Sequence, residues 1–157
     1  MIRRTYIMVA LALACAAVED PGGWTKAKWG MTDDQVLAAF PGQAARLDPP
    51  ELNGARVSIK SIELSGAEFR VYFIPDAAGH LRAVILNAVK PTGALFQSLE
   101  NLLVAKYGRP WKTDEAGDSG VQWSFPTTVI TLTRVQVPNF GTQFLSLAYK
   151  LKVDERI

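Results

Sequence analysis

The chain has one histidine, one cysteine and a scatter of acids as its stock of reactive side chains. His80 follows Gly79 in a turn-forming stretch and has no cysteine or acid around it at metal-ligand spacing; a zinc site needs three or four close ligands. A triad on His80 would need a serine distant in the chain, and no Gly-x-Ser-x-Gly nucleophile elbow is present. His80 therefore reads as a surface turn residue. Asp114, Glu115 and Asp118 lie in a glycine-containing polar stretch, but their spacing is not that of an EF-hand loop. Asp33 and Asp34 could act as a carboxylate pair, yet a place in the first turn of a helix explains them through the helix dipole. Phosphate-loop and dinucleotide glycine patterns are absent. No catalytic residue, metal site or cofactor is expected.

Cys15 carries a different chemistry. Arg3 and Arg4 precede an uncharged run from Tyr6 to Leu13, with Ala12 and Ala14 as the small residues of a cleavage site; this order marks an export signal over residues 1–17. The apolar run is about half the length of a membrane-crossing helix. Cys15 stands where a bacterial lipoprotein signal places its acylated residue, although the position three before it is Ala12 rather than a larger aliphatic residue. Two readings stay open: a lipid anchor on Cys15, with Ala16 favouring the outer membrane, or ordinary cleavage after Ala14, Ala16 or Ala17.

Lys and Arg number 17 against 15 Asp and Glu, and Arg3 and Arg4 account for the whole excess. A balanced mature chain lacks the basic footprint of a nucleic-acid binder. With no second cysteine, an exported domain must be held by packing alone.

The elements that would position these residues alternate between helix and strand. Residues 18–25, with Pro21-Gly22-Gly23, read as a tether, and 26–157 as one domain. Thr32-Asp33-Asp34-Gln35 is a capping box, opening a short helix that presents Val36, Leu37 and Phe40 and stops at Pro41-Gly42. Residues 43–55 carry turn chemistry. Strands follow at 56–64, with a bulge near Ser61, at 67–74 and at 80–89. A second helix runs from Pro91-Thr92 to Tyr107, capped by Gly108. After a polar loop, Lys112 to Gly120, strands are expected at about 121–125, 128–137 and 142–151. The expected fold is α+β: two tandem helix-plus-three-strand repeats, about 26–90 and 91–151, forming an antiparallel sheet with both helices on one face.

Trp29-Gly30-Met31-Thr32 opening the first helix and Tyr107-Gly108-Arg109-Pro110 closing the second give the stretch from Lys26 to Leu151 an order that resembles exported bacterial proteins of the β-lactamase-inhibitor-like fold. This group is a neighbour of the SmpA/OmlA family of small outer-membrane lipoproteins. The resemblance implies a sheet with one face or its loops free to meet a protein partner. The inhibitor's disulfides have no counterpart here, so an inhibitory activity is not implied.

Four tryptophans remain, Trp24, Trp29, Trp111 and Trp123. Tryptophan is favoured at interface hot spots, and Trp111, flanked by Arg109 and Lys112, together with Trp24, supplies the candidate partner-binding residues. Trp123 and Trp29 read as core. The sequence thus points to a periplasmic or outer-membrane-anchored binding or envelope-assembly module. Its partner would be another envelope protein, with membrane contact only through a lipid anchor and no nucleic acid. The competing reading is an exported hydrolase or small-ligand carrier with a dispersed site.

Overall fold

The computed structural model describes residues 18–115 and 118–153. In chain order the elements are β1 (Gly23–Trp24), β2 (Ala27–Lys28), α1 (Asp33–Ala39), β3 (Ala44–Glu51), β4 (Ala55–Leu64), β5 (Ala67–Pro75), β6 (Leu81–Ala88), α2 (Gly93–Tyr107), β7 (Trp111–Glu115), β8 (Asp118–Ser124), β9 (Thr128–Val137) and β10 (Gly141–Leu151).

The expected fold class needs correction. The chain is mostly antiparallel sheet, with only two α-helices among the described residues, and it is not built from tandem helix-plus-three-strand units. Eight strands form one sheet in the order β3-β4-β5-β6-β10-β9-β8-β7. The strands missed by the sequence are its two edges. In β3, Ala44, Ala45 and Arg46 pair with Ile59, Ser58 and Val57, and the ladder then breaks until Glu51 meets Ala55. Pro49 and Pro50 fall in that break, and proline is tolerated on an edge strand because only one side of it must donate to the sheet. In place of the expected polar loop, Trp111 to Glu115 pair with Gln122 to Asp118 as a hairpin.

Each helix is set by its ends. Around α1 the capping box forms: the Gln35 N–H donates to the Thr32 hydroxyl at 3.3 Å, and the Thr32 N–H donates to the Gln35 side chain at 2.9 Å. Thr92 caps α2 in the same sense, accepting from the Leu95 N–H at 3.1 Å. Gly108, at φ 86°, ends α2 in a region that costs a side chain steric strain, and its N–H reaches the Val104 carbonyl.

The alternation of the strands decides what the helices cover. Phe69, Val71 and Phe73 of β5 share one face with Leu86 of β6, Leu145 and Leu147 of β10, and Ile130 and Leu132 of β9. These residues join Val36 of α1, Phe40 just beyond its end, and Leu95, Phe96, Leu99 and Leu103 of α2 in one buried cluster. A smaller cluster on the opposite face holds Tyr72, Ile74 and Ala83, packed with Leu47 of β3 and Ile85. The bulge expected near Ser61 is found as a shift of register between Ile59 and Ile62.

The segment expected to be a tether is partly folded down. Gly23 and Trp24 pair with Lys28 and Ala27, and a side chain on Gly23 would meet the Ala27 carbonyl oxygen at 2.0 Å. Asp20 accepts hydrogen bonds from the Thr127 N–H at 2.6 Å and the Thr127 hydroxyl at 2.8 Å. A strap from Asp20 to Lys28 therefore lies against the turn between β8 and β9.

Candidate functional site: the uncovered face of the sheet

The face of the sheet turned away from the helices is read by register. Trp111 stands opposite Gln122, Gln122 opposite Thr131, Thr131 opposite Ala148, Ala148 opposite Ile85, and Ile85 opposite Tyr72. Side chains directly opposite across antiparallel strands lie on the same face, so this row crosses six of the sheet's eight strands without a charge. In the next row, Ser146 stands opposite both Asn87 and Thr133. The Asn87 Oδ1 atom is closed off from solvent and has no hydrogen-bond partner. Arg70 stands opposite Asn87; its guanidinium is held by the Tyr72 hydroxyl, which pushes its pKa further up.

Trp111 is 81% exposed. Its position at the start of an edge strand fixes its backbone while leaving the indole unsupported on its outer side. Trp123, one residue out of phase with it on the neighbouring strand, is 3% exposed, and its indole N–H donates to the Gly108 carbonyl at 2.8 Å. No protein-family model, curated protein or solved structure matches the chain.

The other residues singled out by sequence are dispersed by the same pleat. Lys112 turns to the helix side, where its ammonium lies 2.6 Å from the Glu100 carboxylate of α2, tying the edge strand to the helix. Arg109 is exposed and lines a shallow depression with Val104, Pro110 and Lys112. Trp111 and Lys112 therefore lie on opposite sides of the edge strand. Trp24 stacks on Phe40 at 5.7 Å and contacts Phe73 at 6.1 Å, which places it against the core. Trp29 donates from its indole N–H to the buried Thr128 hydroxyl at 2.9 Å.

The acids are occupied structurally. Asp33 pairs with Arg56 at 3.1 Å and Asp34 pairs with Arg46, so the two neighbours reach different arginines. His80 is exposed in the turn before β6; its N–H donates to Asp76 Oδ1 at 2.9 Å, and its ring nitrogen is 4.0 Å from the same oxygen. That backbone bond from His80 is the main reason the Asp76 carboxyl sits below the usual carboxylate range. Among the described residues no group of three or more His, Cys, Asp or Glu comes together as a metal site. Asp114 and Glu115 end β7 and Asp118 opens β8, while their side chains, like Cys15, lie outside the described set.

Sequence reasoning expected a free face or free loops without placing this cross-strand row, and it missed the strap. The alternation of β9 and β10 held the signal for the first, since Thr131 and Thr133 and then Ser146 and Ala148 occupy the phase opposite the core. Nothing local signals the second, because Asp20 and Thr127 are distant in the chain. Beside the strap, a shallow cleft is lined by Glu19, Asp20, Lys28, Lys106, Tyr107 and Tyr149. At its base the Tyr107 and Tyr149 hydroxyls lie 3.3 Å apart. Burial first, and then the Tyr107 hydroxyl, push the Tyr149 pKa up and keep it protonated.

Proposed function

We propose that this protein is an exported, non-catalytic binding or envelope-assembly module that acts through protein–protein contact on the uncovered face of its sheet. The observation that carries the reading is Trp111, almost fully exposed at the end of an uncharged cross-strand row. Interface centres are poor in charge and rich in aromatic anchors, and this row has that composition. In this reading the partner is another envelope protein. The compartment is the periplasm, and membrane attachment runs through a lipid on Cys15. Among the described residues no helix is long and apolar enough to cross a membrane. Kinship with the β-lactamase-inhibitor-like and SmpA/OmlA fold group belongs to the same proposal and rests on the Trp29-Gly30-Met31-Thr32 and Tyr107-Gly108-Arg109-Pro110 motifs.

Site-specific photocrosslinking in cells tests this reading. A crosslinking residue at Gln122 or Thr131 should give a discrete adduct with an envelope protein, and one at Ala105, exposed on α2, should not. Adducts from Ala105 alone, or none from the sheet face, would overturn it.

A further inference from the structure

Five lysines gather at the end of the molecule where the strap is pinned. Lys28 and Lys106 line one cleft with Glu19 and Asp20, and Lys26 sits in the turn between β1 and β2. Lys150 stands opposite Ala83 and Val129. Lys152 donates from its backbone to the Thr127 carbonyl at 2.7 Å and from its ammonium to the Ser124 hydroxyl at 3.0 Å. All five are exposed, and none forms a salt bridge with a described carboxylate. The acids at this end include Glu19 and Asp20 of the strap, Asp76 of the β5–β6 turn and Asp33 beside it; Asp20 and Asp76 are engaged by backbone N–H groups and Asp33 by Arg56.

The pinned strap says what these lysines face. Cys15 precedes Asp20 by five residues, and a stretch of that length reaches at most about 18 Å. Asp20 is held on the β8–β9 turn, so acyl chains on Cys15 would hold this end of the domain, and no other, at headgroup distance. That span is an upper limit of about two Debye lengths at ordinary ionic strength, and lysines are drawn to anionic lipid once the stretch is slack enough to bring this end within about one Debye length of the headgroups.

We infer that the end of the domain carrying Lys26, Lys28, Lys106, Lys150 and Lys152 is a lipid-facing surface that binds anionic phospholipid headgroups. It stands the strands upright on the bilayer and turns the uncovered sheet face sideways. The orientation rests on the lipid-anchor reading of Cys15; the headgroup binding does not.

The test separates the two. The mature chain from residue 15 onward with Cys15→Ala, which lacks the apolar signal and cannot be acylated, is sedimented with vesicles of phosphatidylcholine alone or with added phosphatidylglycerol. Binding should require phosphatidylglycerol, weaken as salt is raised, and fall by at least about fivefold for each of Lys106→Glu, Lys150→Glu and Lys152→Glu. Lys60→Glu and Lys90→Glu, outside this cluster, should leave it unchanged and report on folding. Equal affinity for both vesicle types, or lysine variants that bind like the parent, would overturn the surface. A wild-type mature chain whose intact mass lacks acyl groups would overturn the orientation while leaving headgroup binding in place.

Discussion

Trp111 and Trp123 are a matched pair on adjacent strands, one residue out of phase and on opposite faces, and replacing each by alanine should separate binding from stability. A tryptophan side chain buries roughly 250 Å² when fully covered. With 81% of Trp111 in solvent, about a fifth of that is at stake, so its removal costs about 1 kcal/mol at most at ~25 cal/mol per Å². Trp123 is 3% exposed, and the same conversion puts its transfer term near 6 kcal/mol, against about 3–5 kcal/mol for large-to-small changes in cores. Trp123→Ala also leaves the Gly108 carbonyl without its 2.8 Å donor. Against a total of roughly 5–15 kcal/mol for a domain, the Trp123 variant should show a urea midpoint far below wild type, or fail to accumulate. The Trp111 variant should nearly superimpose on wild type while partner capture falls by about thirtyfold, the scale of a hot spot worth about 2 kcal/mol. Equal urea midpoints for the two variants would refute the assignment of faces, and undiminished capture by Trp111→Ala would remove Trp111 from the interface.

Asp20 should make the strap sensitive to acid. Burial alone would raise its pKa, but hydrogen bonds from the Gly22 and Thr127 N–H groups, and from the Thr127 and Thr128 hydroxyls, outweigh it and hold the carboxyl below its ordinary value. A depressed native pKa contributes stability that is present above the unfolded value, about 3.9, and is lost as pH falls through the native one. Protease cleavage within residues 18–28 should therefore rise as pH drops below about 4, and Asp20→Asn should abolish that dependence; unchanged cleavage in either case contradicts the strap. Thr32→Ala removes one half of the capping box and should cost about 1 kcal/mol in urea unfolding, with a loss well under half of that counting against the cap.

Both helices, their caps and six of the sheet's strands were legible in the sequence because each has a local cause: the capping box at Thr32, the threonine and glycine bounding α2, and strict alternation in Ala67 to Pro75. The edge strands β3 and β7 were not, since an edge needs partners on one side only. Ala-Ala-Arg-Leu-Asp-Pro-Pro-Glu and Trp-Lys-Thr-Asp-Glu therefore carry little hydrophobic pattern. Missing them left three strands after each helix where the sheet has four. Its polar neighbours made Trp111 a candidate for exposure, but sequence offered no means of choosing between an exposed and an inward-folded indole. That Lys112 turns to the other side of the strand was not read, because it depends on the pleat of a strand that sequence had read as loop. Trp24 lies against the core for a comparable reason: the strap that delivers it to Phe40 and Phe73 is closed by Asp20 and Thr127, far apart in the chain.

The seam between β6 and β10 sets the order in which the sheet can be completed. β6 is made early, yet its partner is the last strand of the chain, with Asn87 opposite Ser146. Until β10 arrives, the middle of the sheet carries an open edge bearing Val84 and Leu86, the kind of edge that templates aggregation. Closure of that seam over such a long loop is a slow, non-local step. A chaperone that masks Leu81 to Ala88 before β10 forms would protect the segment on which the whole sheet waits.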